Sequence, residues 1–100
     1  MATKQMRKGI ILAEEVLTNI VLDVDGWLDA PHPVIDAFKA GVAGKIVVDA
    51  SSAGVIPAQV AQLLLSAAKS TAEHSGSFEI VHPSDAVKDS LGSLGLAELL

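Results

Sequence analysis

The stretch from residue 45 to residue 73 constrains this fold more than any other. Val47 and Val48 sit in a short apolar run ending at Asp49, which reads as a buried strand. A loop of small residues follows, and an Ala/Leu-rich helix opens on Pro57. At about 100° per residue, Gln59, Gln62, Ser66, Lys69, Ser70 and Glu73 share one arc roughly 100° wide. Val60, Ala61, Leu63, Leu64, Leu65, Ala67, Ala68 and Ala72 fill the remainder, an apolar arc about twice as wide as a surface helix needs. The excess shoulder is Ala58, Ala61, Leu65, Ala68 and Ala72. Either these alanines sit at a solvent boundary, or something other than the sheet covers them. Where strands and helices alternate, ligands and partners usually meet the strand-to-helix turn. Here that turn holds Ala58 and Gln59, so it reads as a docking point without a nucleophile.

The flanking segments extend the pattern. Residues 9–13 read as a first strand and residues 19–25 as a second, whose Val21, Asp23 and Asp25 mark a wetter face. Asp25-Gly26 reads as a turn. Pro31 and Pro33 mark a loop and then the start of a short helix carrying Val34, Ile35 and Phe38, which Gly41 and Gly44 end. Residues 74–77 read as a loop and residues 78–81 as a fourth strand. Ser84 is a natural N-cap for a last helix with Val87, Leu91 and Leu94 on its core side and Gly95 as its C-cap. The expected fold class is therefore α/β, one mixed sheet of four to five strands packed by three or more helices.

Composition narrows function. One hundred residues support one domain, expected over residues 9–100 behind an N-terminal tail over residues 1–8. The chain is 50% hydrophobic with only 3% aromatics, so Val, Ile, Leu and Ala must build the core. A net charge of −5 argues against nucleic acid as the main partner, because phosphate contacts need a basic face. The absence of cysteine excludes disulfides, thiol catalysis and zinc–thiolate sites. Apolar runs fall far short of the roughly 18 residues of a membrane span, and the N-terminal apolar stretch is too short for a signal peptide. No direct membrane insertion and a cytoplasmic location are expected.

Several short patterns carry no chemistry. Gly41-Val-Ala-Gly44-Lys45 resembles the end of a phosphate-binding loop but lacks its spacing and precedes a strand. Ser66 and Lys69 match a Ser-x-x-Lys pair on the wet face of a helix, with no second motif. His32, His74 and His82 are far apart and read as solvated loop residues. Asp23, Asp25 and Asp29 read as a solvated strand edge. Trp27 reads equally as a partner anchor or as packing over a loop. No catalytic residue, cofactor or metal is expected.

Four segments in order resemble a STAS domain, the fold of anti-anti-sigma factors (anti-sigma factor antagonists) and related bacterial regulators. They are Ile20-Val-Leu-Asp-Val-Asp-Gly26-Trp-Leu28-Asp29-Ala30, Val47-Val-Asp49-Ala-Ser51, Phe78-Glu-Ile-Val-His-Pro83-Ser84, and Leu94-Gly95-Leu96 with Leu99. The resemblance implies a protein-binding module controlled by phosphorylation at the start of a helix, within an Asp-Ser-Ser-Gly sequence. That sequence falls on Pro57, Ala58, Gln59 and Val60, so the phosphoacceptor position is Ala58, which has no hydroxyl. Ser51 and Ser52 lie earlier in the loop, where turn chemistry explains them more simply than phosphate acceptance. The segment from Gln62 to Ala68 is also similar to small STAS proteins of bacterial chemotaxis systems.

The expected function is signal transduction by binding an anti-sigma-type serine kinase, a chemotaxis kinase or a scaffold. Asp29, His32, Ser51, Ser52, Ile56, Pro57, Ala58, Gln59 and Gln62 form the expected contact surface. The alternatives are a structural STAS subunit of a phospholipid-transport ABC complex or a homodimer, and a small-ligand-binding STAS module with a pocket beside residues 50–57.

Overall fold

Each strand is followed by helix before the next strand begins, and parallel pairing is the consequence. The computed structural model describes residues 17–100. In chain order these form β1 (Leu17–Val21), α1 (Val24–Asp29), α2 (His32–Gly41), β2 (Lys45–Asp49), α3 (Ala58–Glu73), β3 (Ser77–Val81) and α4 (Asp85–Ser93). A 3-10 turn, Ala97–Leu99, closes the chain. The sheet has three strands in the order β1-β2-β3, all parallel. Parallel neighbours need a crossover, and two successive crossovers of one hand in one direction put their helices on the same face.

Burial follows from that topology. Ile46 and Val48 of β2 and Ile80 of β3 point into one core with Val34, Phe38, Val60, Leu64, Val87 and Leu91 from the helices. Ile20 and Phe78 pack at its margin. The opposite face carries Asn19, Lys45, Asp49 and Glu79 among Leu17, Val21, Val47 and Val81, and no described helix covers it. Parallel strands usually read as continuous apolar runs because both faces are buried. These alternate, with Lys45 and Glu79 paired at 3.5 Å, as a half-wetted sheet requires.

The sheet corrects the expectation of four to five mixed strands: among the described residues three strands are present and none is antiparallel. The strand read over residues 9–13 lies outside the described residues. The strand read over 19–25 ends at Val21 because Asp23 caps a helix: its carboxylate accepts a hydrogen bond from the Gly26 N–H at 3.1 Å. Asp25 and Gly26, read as a turn, lie inside that helix, α1. Trp27 is a packing residue, 7% exposed, edge-on to Phe38 with ring centroids 5.8 Å apart. The remaining elements fall close to where hydrophobic periodicity and caps put them, and α3 begins at Ala58.

The broad apolar arc of α3 is partly explained within the chain. Ala61 is buried, and Leu65 and Ala68 border a hollow closed by Leu96 and Leu99 of the C-terminal segment. Ala58 and Ala72 stay exposed.

Helices α3 and α4 end alike. The Gly76 N–H reaches back to the Thr71 carbonyl and the Leu96 N–H to that of Leu91, each at 2.7 Å. The left-handed residue before each is Gly95 (φ 76°) after α4 but Ser75 (φ 63°) after α3. A left-handed non-glycine residue costs about 1–2 kcal/mol, and added chain freedom in the unfolded state offsets part of its relief. Ser75→Gly is therefore expected to stabilise the protein by up to about 1 kcal/mol, read as a higher denaturant midpoint at constant m.

Candidate functional site

The C-terminal ends of the strands converge on the loop of residues 50–57. The Leu22 N–H donates to the Asp49 carbonyl (2.9 Å) and the Ala50 N–H to that of Val81 (3.0 Å), so the three strand ends are tied at the loop's root. The Asp49 carboxylate accepts the Ser51 N–H at 2.9 Å and turns the chain. Beyond it, Ala53 and Ile56 are buried, whereas Val55 between them is 74% exposed.

Two serines of the following segment fix the loop from its far side. The Ser84 hydroxyl donates to the Ala53 carbonyl (2.7 Å) while its oxygen caps α4 by accepting the Val87 N–H. The Ser90 hydroxyl accepts the Ile56 N–H at 2.9 Å and donates to the Ala86 carbonyl at 2.7 Å. Each hydroxyl thus both donates and accepts, which leaves the buried loop backbone satisfied at Ala53 and Ile56. Ser84 was legible as a cap. Neither serine was legible as a loop support, because each pairs with a residue more than thirty positions away.

The expected contact residues divide between this loop and its surroundings. Ser51, Ser52, Ala58, Gln59 and Gln62 are exposed, and Pro57 is half-buried at the N-cap of α3. Ile56 is 3% exposed and belongs to the core. Asp29 ends α1 and His32 opens α2. Both are exposed, and neither lines the hollows on the two sides of the loop. Val55 was missed, hidden as one more apolar letter beside Ile56.

One of these hollows, about 540 Å³ and open to solvent, lies between the β1–α1 turn and the loop, with Asp23, Asp25, Trp27, Ser52 and Gly54 on its walls. Its two carboxylates oppose a phosphate or anionic headgroup. The other, about 420 Å³, is an apolar groove between the loop and α4, formed by Val55, Ile56, Ala86 and Leu94 with Asp89 at its rim. Among the described residues no cluster of three or more His, Cys, Asp or Glu side chains is placed to hold a metal. Nor is any described helix long and apolar enough to cross a membrane. Ser66 and Lys69 border different hollows, one beside α2 and one beside the C-terminal segment.

The Ser51 N–H, then its hydroxyl, and more weakly the charge of His82, hold the Asp49 carboxyl below the ordinary aspartate range against a small opposing effect of burial. A carboxylate with a lowered folded pKa stabilises the fold above its unfolded pKa and loses that contribution as pH falls through the folded value. Asp49→Asn is therefore expected to lower stability modestly at neutral pH and to converge with the parent protein as pH falls below about 4, so that its acid unfolding limb is shallower. Thermal unfolding across that range checks this, and an unchanged acid limb would contradict it.

Comparison with protein-family models, with curated proteins and with solved structures finds no match for this chain.

Proposed function

We propose that this chain is a non-catalytic protein-interaction module of bacterial signalling. It docks a regulatory kinase or scaffold through the 50–57 loop and the exposed start of α3, as its resemblance to STAS regulators implies. The observation that carries the reading is Val55, an apolar side chain held 74% exposed on a loop whose neighbouring backbone groups are bonded to Ser84 and Ser90. An isolated exposed valine is ordinary on a surface. One presented by a fixed loop has already lost the freedom that binding would otherwise remove.

Control by phosphate at the helix start is chemically closed. The first turn of α3 begins Ala58-Gln59-Val60 and offers no hydroxyl. Binding is then constitutive, or is set by the partner.

Gln62→Arg tests the surface. Gln62 is exposed one turn into α3, so the fold should be retained while a bulky charge enters the contact. The expected outcome is at least a tenfold loss of kinase or scaffold recovery, roughly 1.4 kcal/mol, in affinity capture from the source cells with unchanged circular dichroism. Equal recovery would remove this surface. Incubation of the chain with labelled ATP in the same lysate should leave residues 51–60 unlabelled, and label on Ser51 or Ser52 would overturn the switchless reading. Light scattering should report a monomer, and a stable dimer would favour a permanent structural role.

A further inference from the structure

Among the described residues, the two hollows beside the docking loop are lined by carboxylates and by no lysine or arginine. Asp23 and Asp25 stand on one side and Asp89 on the other, with Val55 and Gly54 on the crest between them. Of the described lysines, Lys39 lines the hollow between α2 and α3, Lys69 lines the one between α3 and the C-terminal segment, Lys45 pairs with Glu79 on the sheet, and Lys88, exposed on α4 next to Asp89 in sequence, lines neither hollow beside the loop. The loop is thus an apolar crest and groove inside a negative rim. The uncapped N-terminus of α3 adds about half a positive charge nearby, which is outweighed by three carboxylates.

We propose that the groove between the loop and α4 receives an apolar side chain from a partner segment that carries lysine or arginine on either side of it. The inference rests on the docking reading above and specifies the chemistry of the partner. The groove supplies Val55, Ile56, Ala86 and Leu94 for the apolar group, with Ser90 already engaged by the loop backbone. Exposed carboxylates at the rim contribute modestly to affinity. They act mainly on encounter rate and on the choice between partners, because an acidic segment brought here meets like charge from both sides.

The test uses the whole chain, labelled for amide NMR, with an amphipathic peptide of leucine and lysine and its leucine–glutamate counterpart. The leucine–lysine peptide is expected to shift amides over 52–56 and 86–94, less so as salt is raised. Asp25→Lys combined with Asp89→Lys should weaken it about tenfold, by losing two attractions and gaining two repulsions. Asp36→Lys combined with Glu73→Lys makes the same change in net charge elsewhere on the surface and should leave binding within about twofold. Equal weakening by both pairs would reduce the effect to bulk charge and overturn the inference. If the leucine–glutamate peptide binds the same amides equally well, the basic partner is wrong and the docking loop stands. Shifts confined to the uncovered sheet face would overturn both. Shifts that grow with the concentration of the protein alone would identify a second copy as the occupant and overturn the basic segment.

Discussion

Gly76→Ala is expected to destabilise the protein by about 3 kcal/mol, lowering the melting temperature by roughly 12–24 °C. Gly76 sits where the turn leaving α3 crosses the turn entering β2. Its N–H closes the end of α3 on the Thr71 carbonyl, and the next N–H, of Ser77, donates to the Gly44 carbonyl at 2.9 Å. A β-carbon on Gly76 would press on the Val42 carbonyl oxygen and stand 2.6 Å from that of Gly44. These are backbone atoms, so no side-chain rotation relieves the overlap. One of the two turns must move, and both set the register that pairs Lys45 with Ser77. The signature is a lower denaturant midpoint with unchanged m, since the same surface is exposed on unfolding. An unchanged midpoint would show that the two turns do not meet as described.

Gly76 also shows where sequence reading reaches its limit. The loop over residues 74–77 was legible, but its glycine is required by a carbonyl over thirty residues earlier, and no local pattern encodes that. Helix α3 was legible because sixteen residues repeat one periodicity. Helix α1 was not, because six residues offer less than two turns, and Asp-Gly is a stronger local signal for a turn than Asp23 is for a cap. That misreading lengthened the strand but not the connectivity, since the helix read after Pro33 already supplies the crossover to β2, and the expectation of a mixed sheet came from the strand read over residues 9–13, which lies outside the described residues. The contact surface divided similarly. Exposed Gln59 and Gln62 follow from the helix wheel, whereas the wheel puts Ala58 on the apolar shoulder and leaves its exposure open. The exchange of roles between Val55 and Ile56 follows only from the two hydroxyls that fix the loop.

Those hydroxyls carry the second large effect. Ser90→Ala leaves the Ile56 N–H without its partner, and with Ile56 3% exposed water cannot readily replace it. Stranding a buried donor costs about 1–3 kcal/mol. Ser84→Ala removes the cap of α4, worth about 0.5–2 kcal/mol, together with the donor to the buried Ala53 carbonyl. The double variant is expected to lose roughly 2–4 kcal/mol, less than the sum of the single losses, because either change alone already loosens the loop that both serines hold. A thermodynamic cycle over the four proteins measures that coupling, and strict additivity would mean that the serines support separate segments. Hydrogen exchange at Ile56 distinguishes a local from a global cause: Ser90→Ala should open this amide while that of Leu64, in the middle of α3, keeps its protection. Ser84→Thr retains a hydroxyl and should recover most of the loss. If Val55 binds through a pre-formed loop, Ser90→Ala must also weaken partner binding although Ser90 lies beneath the contact. Full affinity in a variant whose Ile56 amide exchanges freely would show that the loop orders on binding, and that its fixed geometry is not what the partner recognises.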